Sequence, residues 1–214
     1  MFDSTTRAQI LGKVEHYFTE KIRANGPTAR GVDWNGKDSQ FLRFQQLCKI
    51  IDRDTPSFSI NDFGCGYGAL IEFLCIQFSN WEYVGIDVSA DMVQAACDKY
   101  SHLANVNFAQ SDVLSSEADY TIASGIFNIR VGTSEYAWWS YLTDALDMLN
   151  TASSRGFSFN CLTKYSDAEK MRADLYYADP CRLFDWCKLH YSPQVALLHD
   201  YGLYEFTILV RKQA

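Results

Sequence analysis

The sequence predicts an α/β protein: a mostly parallel seven-stranded sheet ending in an antiparallel hairpin, helices on both faces, and a helical N-terminal cap. Three observations predict it. Apolar runs of strand length alternate with longer runs at helical spacing, the pattern of βα units and a parallel sheet. A glycine-rich turn, Gly64-Cys65-Gly66-Tyr67-Gly68, sits between the first such strand and the helix after it. The last two apolar runs are separated only by Asp200-Tyr201-Gly202, too short for a parallel crossover, so they must pair antiparallel.

In chain order, residues 4–24 carry Ile10, Leu11, Val14, Tyr17, Phe18 and Ile22 at helical spacing behind a Ser4 cap, and Gly26-Pro27 stops the helix. A loop with Arg30, Asp33, Trp34 and Asn35 follows. A second helix opens near Asp38 or Ser39 and sets Phe41, Phe44, Leu47, Cys48 and Ile51 on one face. Pro56 precedes the first strand, which divides the chain into a helical cap, 1–55, and an α/β domain, 56–214. That domain reads as helix 68–79, strand 82–87, helix 89–101, strands 105–109 and 119–124, helix 134–150, strand 156–162, helix 180–190 and strands 194–199 and 203–211. The charged, tyrosine-rich stretch 163–180 suits an amphipathic helix over a pocket mouth, with Lys164 and Arg172 as anion contacts. The other reading is a surface helix with Met171, Leu175 and Tyr176 packed inward.

The glycines let the backbone turn sharply and approach a ligand without a Cβ in the way. Asp87 closes the second strand, which places a carboxylate where a ribose diol would lie. Together they mark an adenosine-containing cofactor. Gly64, Gly66 and Ala69 also satisfy the dinucleotide pattern G-x-G-x-x-A. Three features favour S-adenosylmethionine (SAM) instead. Asp62 precedes the turn, and its charge suits a sulfonium and an α-ammonium better than a pyrophosphate. Asp112-Val113 closes the third strand, a polar and apolar pair suited to adenine. The chain after the turn holds one nucleotide-binding layout rather than two.

The segments Asp62 to Gly68, Gly85-Ile86-Asp87-Val88-Ser89 with Met92, Ser111-Asp112-Val113, and Tyr120 to Asn128 make residues 56–214 resemble the class I SAM-dependent methyltransferases. The resemblance implies the same sheet with its closing hairpin. It implies that Gly64, Gly66 and Gly68 line the methionine and ribose part, Asp87 the ribose hydroxyls, and Asp112 and Val113 the adenine. Val88, Met92 and Ser124 belong to the same expected cofactor site.

Ligands of open α/β sheets bind beyond the carboxyl ends of the strands. The first three ends go to the cofactor, so 124–128, 160–164 and His199-Asp200 face the acceptor. His199 is the histidine at a strand tip and is the candidate general base, with Asp200 beside it; the other reading is a ring bonded to the hairpin backbone and an Asp-x-Gly turn former. The free carboxylate of SAM calls for an arginine. Arg43 on the second helix is the first candidate and Arg30 the second, under a lid that includes Trp34. In the plainer reading Arg43 is a solvated helix residue and Trp34 a core plug.

Composition narrows the partners. With 26 acidic against 19 basic residues the formal charge is −7, and no basic run occurs, which argues against a nucleic-acid substrate. No apolar stretch reaches the length of a membrane span, and the N-terminus lacks a signal-peptide core. The 7 cysteines are scattered without a C-x-x-C pair, as expected of small hydrophobes in a reducing cytoplasm, and no metal is expected. The expectation is a cytoplasmic SAM-dependent methyltransferase of a small polar metabolite. Oxygen is the favoured acceptor, because Phe127-Asn128 does not spell an Asn-Pro-Pro-Tyr amine motif. Two other readings stand beside it. A NAD(P)-dependent oxidoreductase would want a Tyr-x-x-x-Lys after the fourth strand, where none occurs; a SAM-binding partner protein would bind without methylating.

Overall fold

The computed structural model of the protein describes residues 4–213, with the side chain of Ser4, the expected helix cap, outside the described residues. In chain order the elements are α1 (Ser4–Asn25), α2 (Lys37–Leu47), β1 (Phe58–Phe63), α3 (Leu70–Gln77), β2 (Trp81–Asp87), α4 (Ala90–Tyr100), β3 (Val106–Gln110), β4 (Ala118–Ala123), α5 (Glu135–Thr151), β5 (Ser153–Thr163), β6 (Tyr177–Ala178), α6 (Pro180–His190), β7 (Gln194–Leu198) and β8 (Glu205–Arg211). Short 3-10 turns at Ala29–Val32, Cys48–Ile50 and Ala168–Lys170 join them. Helix ends follow local chemistry. α1 stops where Gly26 turns left-handed, at φ +66°. α6 starts on Asp179, whose side chain accepts from the Cys181 and Arg182 N–H groups, with Pro180 in the first turn.

The strands form one sheet in the order β3-β2-β1-β4-β5-β8-β7, with β6 added beside the end of β5. β3, β2, β1, β4 and β5 run parallel, and β8 is antiparallel to both β5 and β7. The sheet therefore has eight strands rather than the expected seven, the extra one being the two-residue β6. β1 lies at the point where strand order reverses, with β2 on one side and β4 on the other. A crevice opens there, beyond the strand ends.

Alternate residues of the strands feed two cores on the two faces. Phe58 and Ile60 pack with Ile22, Phe44, Leu47, Leu70, Met92 and Tyr120. Phe63 packs on the other face with Ile10, Val14, Ile86, Trp138, Phe157 and Phe159. Residues of α1 and α2 thus lie in the same cores as the sheet.

Residues 163–180 depart from the expected amphipathic helix. Apart from the 3-10 turn and β6 the stretch before α6 is irregular, because its backbone bonds go to other parts of the chain. The Tyr176 N–H donates to Asn128 O, the Lys164 N–H to Ala178 O, and the Arg130 and Val131 N–H groups both donate to Asp174 O. These bonds lay the segment across the tips of β4 and β5.

Candidate active site

The glycine turn folds back on β2, with the N–H groups of Gly64 and Cys65 both donating to Ile86 O at 2.7 and 3.1 Å. Gly66 is left-handed at φ +55°, and a Cβ there would lie 3.0 Å from Val32 Cγ1 of the loop above. A Cβ on Gly68 would meet the rings of Tyr100 and Phe108 at 2.9–3.2 Å, so this glycine serves close packing of α3 against α4 and β3. The carboxylate of Asp87 accepts from Gly66 N–H and Ser89 N–H, both at 2.9 Å, and so ties the turn to the start of α4. Burial raises the Asp87 pKa and these N–H donors pull it back.

Above the tips of β1, β2 and β4 lies a cavity of about 360 Å³. Gly64, Gly66, Asp87, Val88, Met92 and Ser111 line one side; Ser124, Gly125, Ile126 and Asn128 line the β4 tip. Leu11, Val14 and Phe18 of α1 and Tyr141 of α5 form an apolar wall, while Val32, Asp33, Trp34 and Arg43 close the side of the N-terminal loop. Leu162, Ser166, Lys170, Arg172, Leu175, Tyr177, Tyr204 and Glu205 complete it. A volume in the range of ordinary ligand sites, walled mainly by apolar groups with a few convergent polar ones, is what a small-molecule site requires.

Of the residues singled out from the sequence, Gly64, Gly66, Asp87, Val88, Met92, Ser124, Trp34 and Arg43 come together on this cavity. The others do not. Asp62 is buried beneath the turn and accepts from Tyr83 Oη at 2.7 Å; burial, partly offset by that bond, pushes its pKa up to about 7. Its carboxyl is therefore turned to Tyr83 inside the sheet, where burial disfavours the charge, and does not line the cavity. Gly68 is occupied with packing. The Asp112 carboxylate turns outward to Arg7 at 3.2 Å, Val113 is exposed, and Ser111 takes the lining position at the end of β3. His199 and Asp200 are exposed and lie off the cavity, because β7 is the outermost strand and its tip is two strands removed from β5. The His199 ring rests near Tyr165 and Phe206 instead.

Arg43 also differs from expectation. It is buried, not solvated, and holds Glu205 through Nε at 2.8–2.9 Å and Nη2 at 2.6 Å. Its guanidinium carbon lies 3.8 Å from the centre of the Trp34 ring. Nη1 is left without a partner, as is the buried Oγ of Ser124. Arg30 is exposed and Lys164 pairs with Asp179, so neither lines the cavity, whereas Arg172 does. Sequence reasoning missed Glu205, the bonding role of Asn160, which it placed only among the acceptor-facing residues 160–164, and the role of Asp33. The first two had a signal: a charge opening the apolar run 205–210 and an amide inside 157–161 are costly in buried strands unless paired. Asp33 is left-handed at φ 61° and accepts from Tyr17 Oη, Lys21 Nζ and Arg172 Nη1 at 2.7, 2.6 and 3.1 Å. Those partners hold its pKa down against burial. Nothing in the sequence pairs it with Arg172. No histidine lines the cavity among the described residues, and no group of three or more His, Cys, Asp or Glu side chains there could hold a metal ion. No described helix is long and apolar enough to cross a membrane.

A glycine turn at the strand-order switch, an acidic residue ending β2, and a sheet closed by an antiparallel β8 define the class of protein. Comparison with known proteins agrees. Residues 61–149 match the model of the Methyltransferase domain family. The chain is 58% identical over 164 residues to the Mycobacterium tuberculosis protein named Putative methyltransferase Rv1506c, covering 77% of this chain and 98% of that one. Among solved structures, the fold is similar to magnesium protoporphyrin IX methyltransferase from Synechocystis PCC 6803 with bound SAM, at a TM-score of 0.64 and 13% identity over 100% of this chain and 99% of that one. It is also similar to the N-methyltransferase NodS from Bradyrhizobium japonicum WM9 in complex with S-adenosylhomocysteine, at a TM-score of 0.66 and 14% identity over 94% and 98%. The chain belongs to the class I SAM-dependent methyltransferase family.

Proposed function

We propose that the cavity binds SAM and that the enzyme transfers its methyl group to an oxygen of a small polar molecule. The observation that carries this is the convergence on one cavity of the Asp87 carboxylate, the Gly64–Gly66 cradle and two buried polar atoms without partners, Arg43 Nη1 and Ser124 Oγ. These residues fit the cofactor. The Asp87 oxygens, each holding one N–H, retain lone pairs for the ribose hydroxyls. Val88, Met92 and Ser111 suit the adenine side, and the orphaned donors suit a polar amino-acid end. SAM supplies an electrophilic methyl on a sulfonium. The chain has to bind, align and exclude water.

With that volume largely taken by the cofactor, the remaining space supports a small acceptor. Asn128, Ser166, Lys170, Arg172 and Tyr204 offer it hydrogen-bonding groups. The carboxylates on the cavity already serve other groups: Asp33 holds three donors, Glu205 two residues, and Asp87 two N–H groups. An oxygen that has lost its proton before transfer, or releases it to water, suits such a site.

The test is calorimetry of SAM binding to Asp87→Ala. Losing hydrogen bonds to a charged acceptor, each worth about 1.5–3 kcal/mol, should weaken SAM at least about tenfold. Unchanged affinity would place the cofactor elsewhere. Transfer of labelled methyl to a panel of small hydroxy acids, phenols and amines then identifies the acceptor atom; turnover confined to amines would refute oxygen.

A further inference from the structure

Around Arg43 the bonds close into a buried ring that reaches four separate parts of the chain. Arg43 binds Glu205 at the start of β8, and Glu205 accepts from Asn160 Nδ2 of β5 at 2.5 Å. Asn160 Oδ1 accepts from the Gly125 N–H just past β4 at 2.7 Å. The indole of Trp34 covers Gly125, where a Cβ would lie 2.4 Å from its ring, and returns to the Arg43 guanidinium. The Glu205 side chain is 1% exposed and that of Arg43 7%. Taking such a pair out of water is costly, and this one adds little as a net charge because the carboxylate cancels the cation. What the ring does provide is aim. A guanidinium is a rigid planar fork. With Nε and Nη2 fixed on Glu205 and one face on Trp34, the direction of the unpartnered Nη1 is determined.

We propose that Glu205 is a positioning residue which, steadied by Asn160, aims Arg43 Nη1 at the carboxylate on the amino-acid end of the cofactor. This rests on the reading of the cavity as the SAM site. Strand order supports the assignment of ends: Asp87, Val88 and Ser111 come from β2 and β3 on one side of β1, whereas Arg43, Glu205, Asn160 and Gly125 gather at β4, β5 and β8 on the other. The nucleoside takes the first side and its non-nucleoside end takes the second. Ser124 Oγ, next to Gly125, is the other orphaned donor there. Because the ion pair is neutral overall, Nη1 attracts a carboxylate through a directed hydrogen bond more than through long-range charge, so loss of direction is loss of the contact.

Two probes separate aim from mere support of the fold. S-adenosylhomocysteine carries the amino-acid end, and 5′-methylthioadenosine keeps the nucleoside and thioether but lacks that end. In Glu205→Gln the new amide cannot accept at every position the carboxylate serves, and its NH2 faces the Asn160 NH2, donor against donor. Calorimetry should show S-adenosylhomocysteine weakened about tenfold, as for one charge-assisted bond, with 5′-methylthioadenosine changed by less than about twofold. Equal losses for both probes would make Glu205 structural, and no loss for either would direct Nη1 elsewhere; both outcomes overturn the proposal. Should Glu205→Gln fail to fold, Asn160→Ala leaves the ion pair in place and frees it to swing; the same selective loss, about threefold or more, is expected, and a non-selective one overturns the proposal. A parent protein that binds neither probe would refute the SAM site itself, which is a distinct result.

Discussion

Asp62 is the residue whose chemistry departs most from its apparent place in the sequence. It looks like the acid of a ligand loop, yet it sits under the sheet tip with Tyr83 and is pushed up to about 7 from 3.8, mainly by burial. Between those values the folded chain keeps a proton that the unfolded chain has released, so stability falls as pH rises through the window and stays lower above it. The contribution is on the order of a few kcal/mol. Asp62→Asn, which keeps an acceptor for Tyr83, should shrink the drop in thermal midpoint between about pH 5 and about pH 8 relative to the parent; an equal drop would assign that slope to other groups. His199 gives the opposite lesson. Strand-tip logic selected it, but β7 is an edge strand and the ring is outside the cavity. His199→Ala should leave the turnover rate within about twofold of the parent and the pH–rate profile unshifted, where loss of a true general base costs about 10²-fold or more.

Among the elements, the segment between β5 and α6 was the least legible, and it supplies Ser166, Lys170, Arg172, Leu175 and Tyr177 to the cavity wall. Its residues suit a helix by composition, but its backbone is bonded to Asn128, to the 130–131 turn and to Ala178, partners distant in sequence that periodicity cannot reveal. Arg172 then spans from this segment to Asp33 and Tyr17 across the cavity mouth. The groups are half-exposed, and pairs of this kind are worth about 0–1 kcal/mol to overall stability. Arg172→Ala should therefore move the thermal midpoint by no more than about 4 °C. Amide exchange should nonetheless quicken together in 168–176 and 29–35, because one latch holds both. Quickening in one segment alone would break that link. The regular elements, by contrast, were legible to within a few residues, since the glycine turn, Pro180 and the 3.6- and 2-residue periods are written locally. The β2 side of the cavity was legible for the same reason at Gly64, Gly66, Asp87, Val88 and Met92, though not at Asp62 and Asp112, which Tyr83 and Arg7 hold off it. The other side was not: Glu205, Asn160 and Asp33 acquire their roles only through partners more than ten residues away along the chain.

At the scale of the whole molecule the open issue is whether the N-terminal helices are a detachable lid or part of the folding unit. The sequence break at Pro56 suggested a cap, 1–55, on a separate domain. Packing argues for one unit. Ile10, Val14 and Ile22 of α1 are buried, the first two with Phe63, Ile86 and Trp138 on one face and the third with Leu70, Met92 and Tyr120 on the other. Burying each such side chain contributes about 1.5–3 kcal/mol, so α1 alone accounts for a sum comparable to the roughly 5–15 kcal/mol that holds a typical domain together. Removing residues 1–36 should accordingly yield an insoluble chain, or one whose thermal midpoint falls by more than about 10 °C. Scanning calorimetry of the parent should show a single transition. Two resolved transitions, or a truncated chain that unfolds at the parent temperature, would restore the detachable lid. Trp34→Ala distinguishes the remaining roles, because Trp34 is only partly buried and its contacts are with Gly125 and Arg43 at the cavity wall. If the loop closes over the cofactor, this change should leave the transition single and weaken S-adenosylhomocysteine by about fivefold or more, since a stacking contact to a buried cation is worth roughly 1–2 kcal/mol. Full affinity in that variant would leave the N-terminal segment as packing alone.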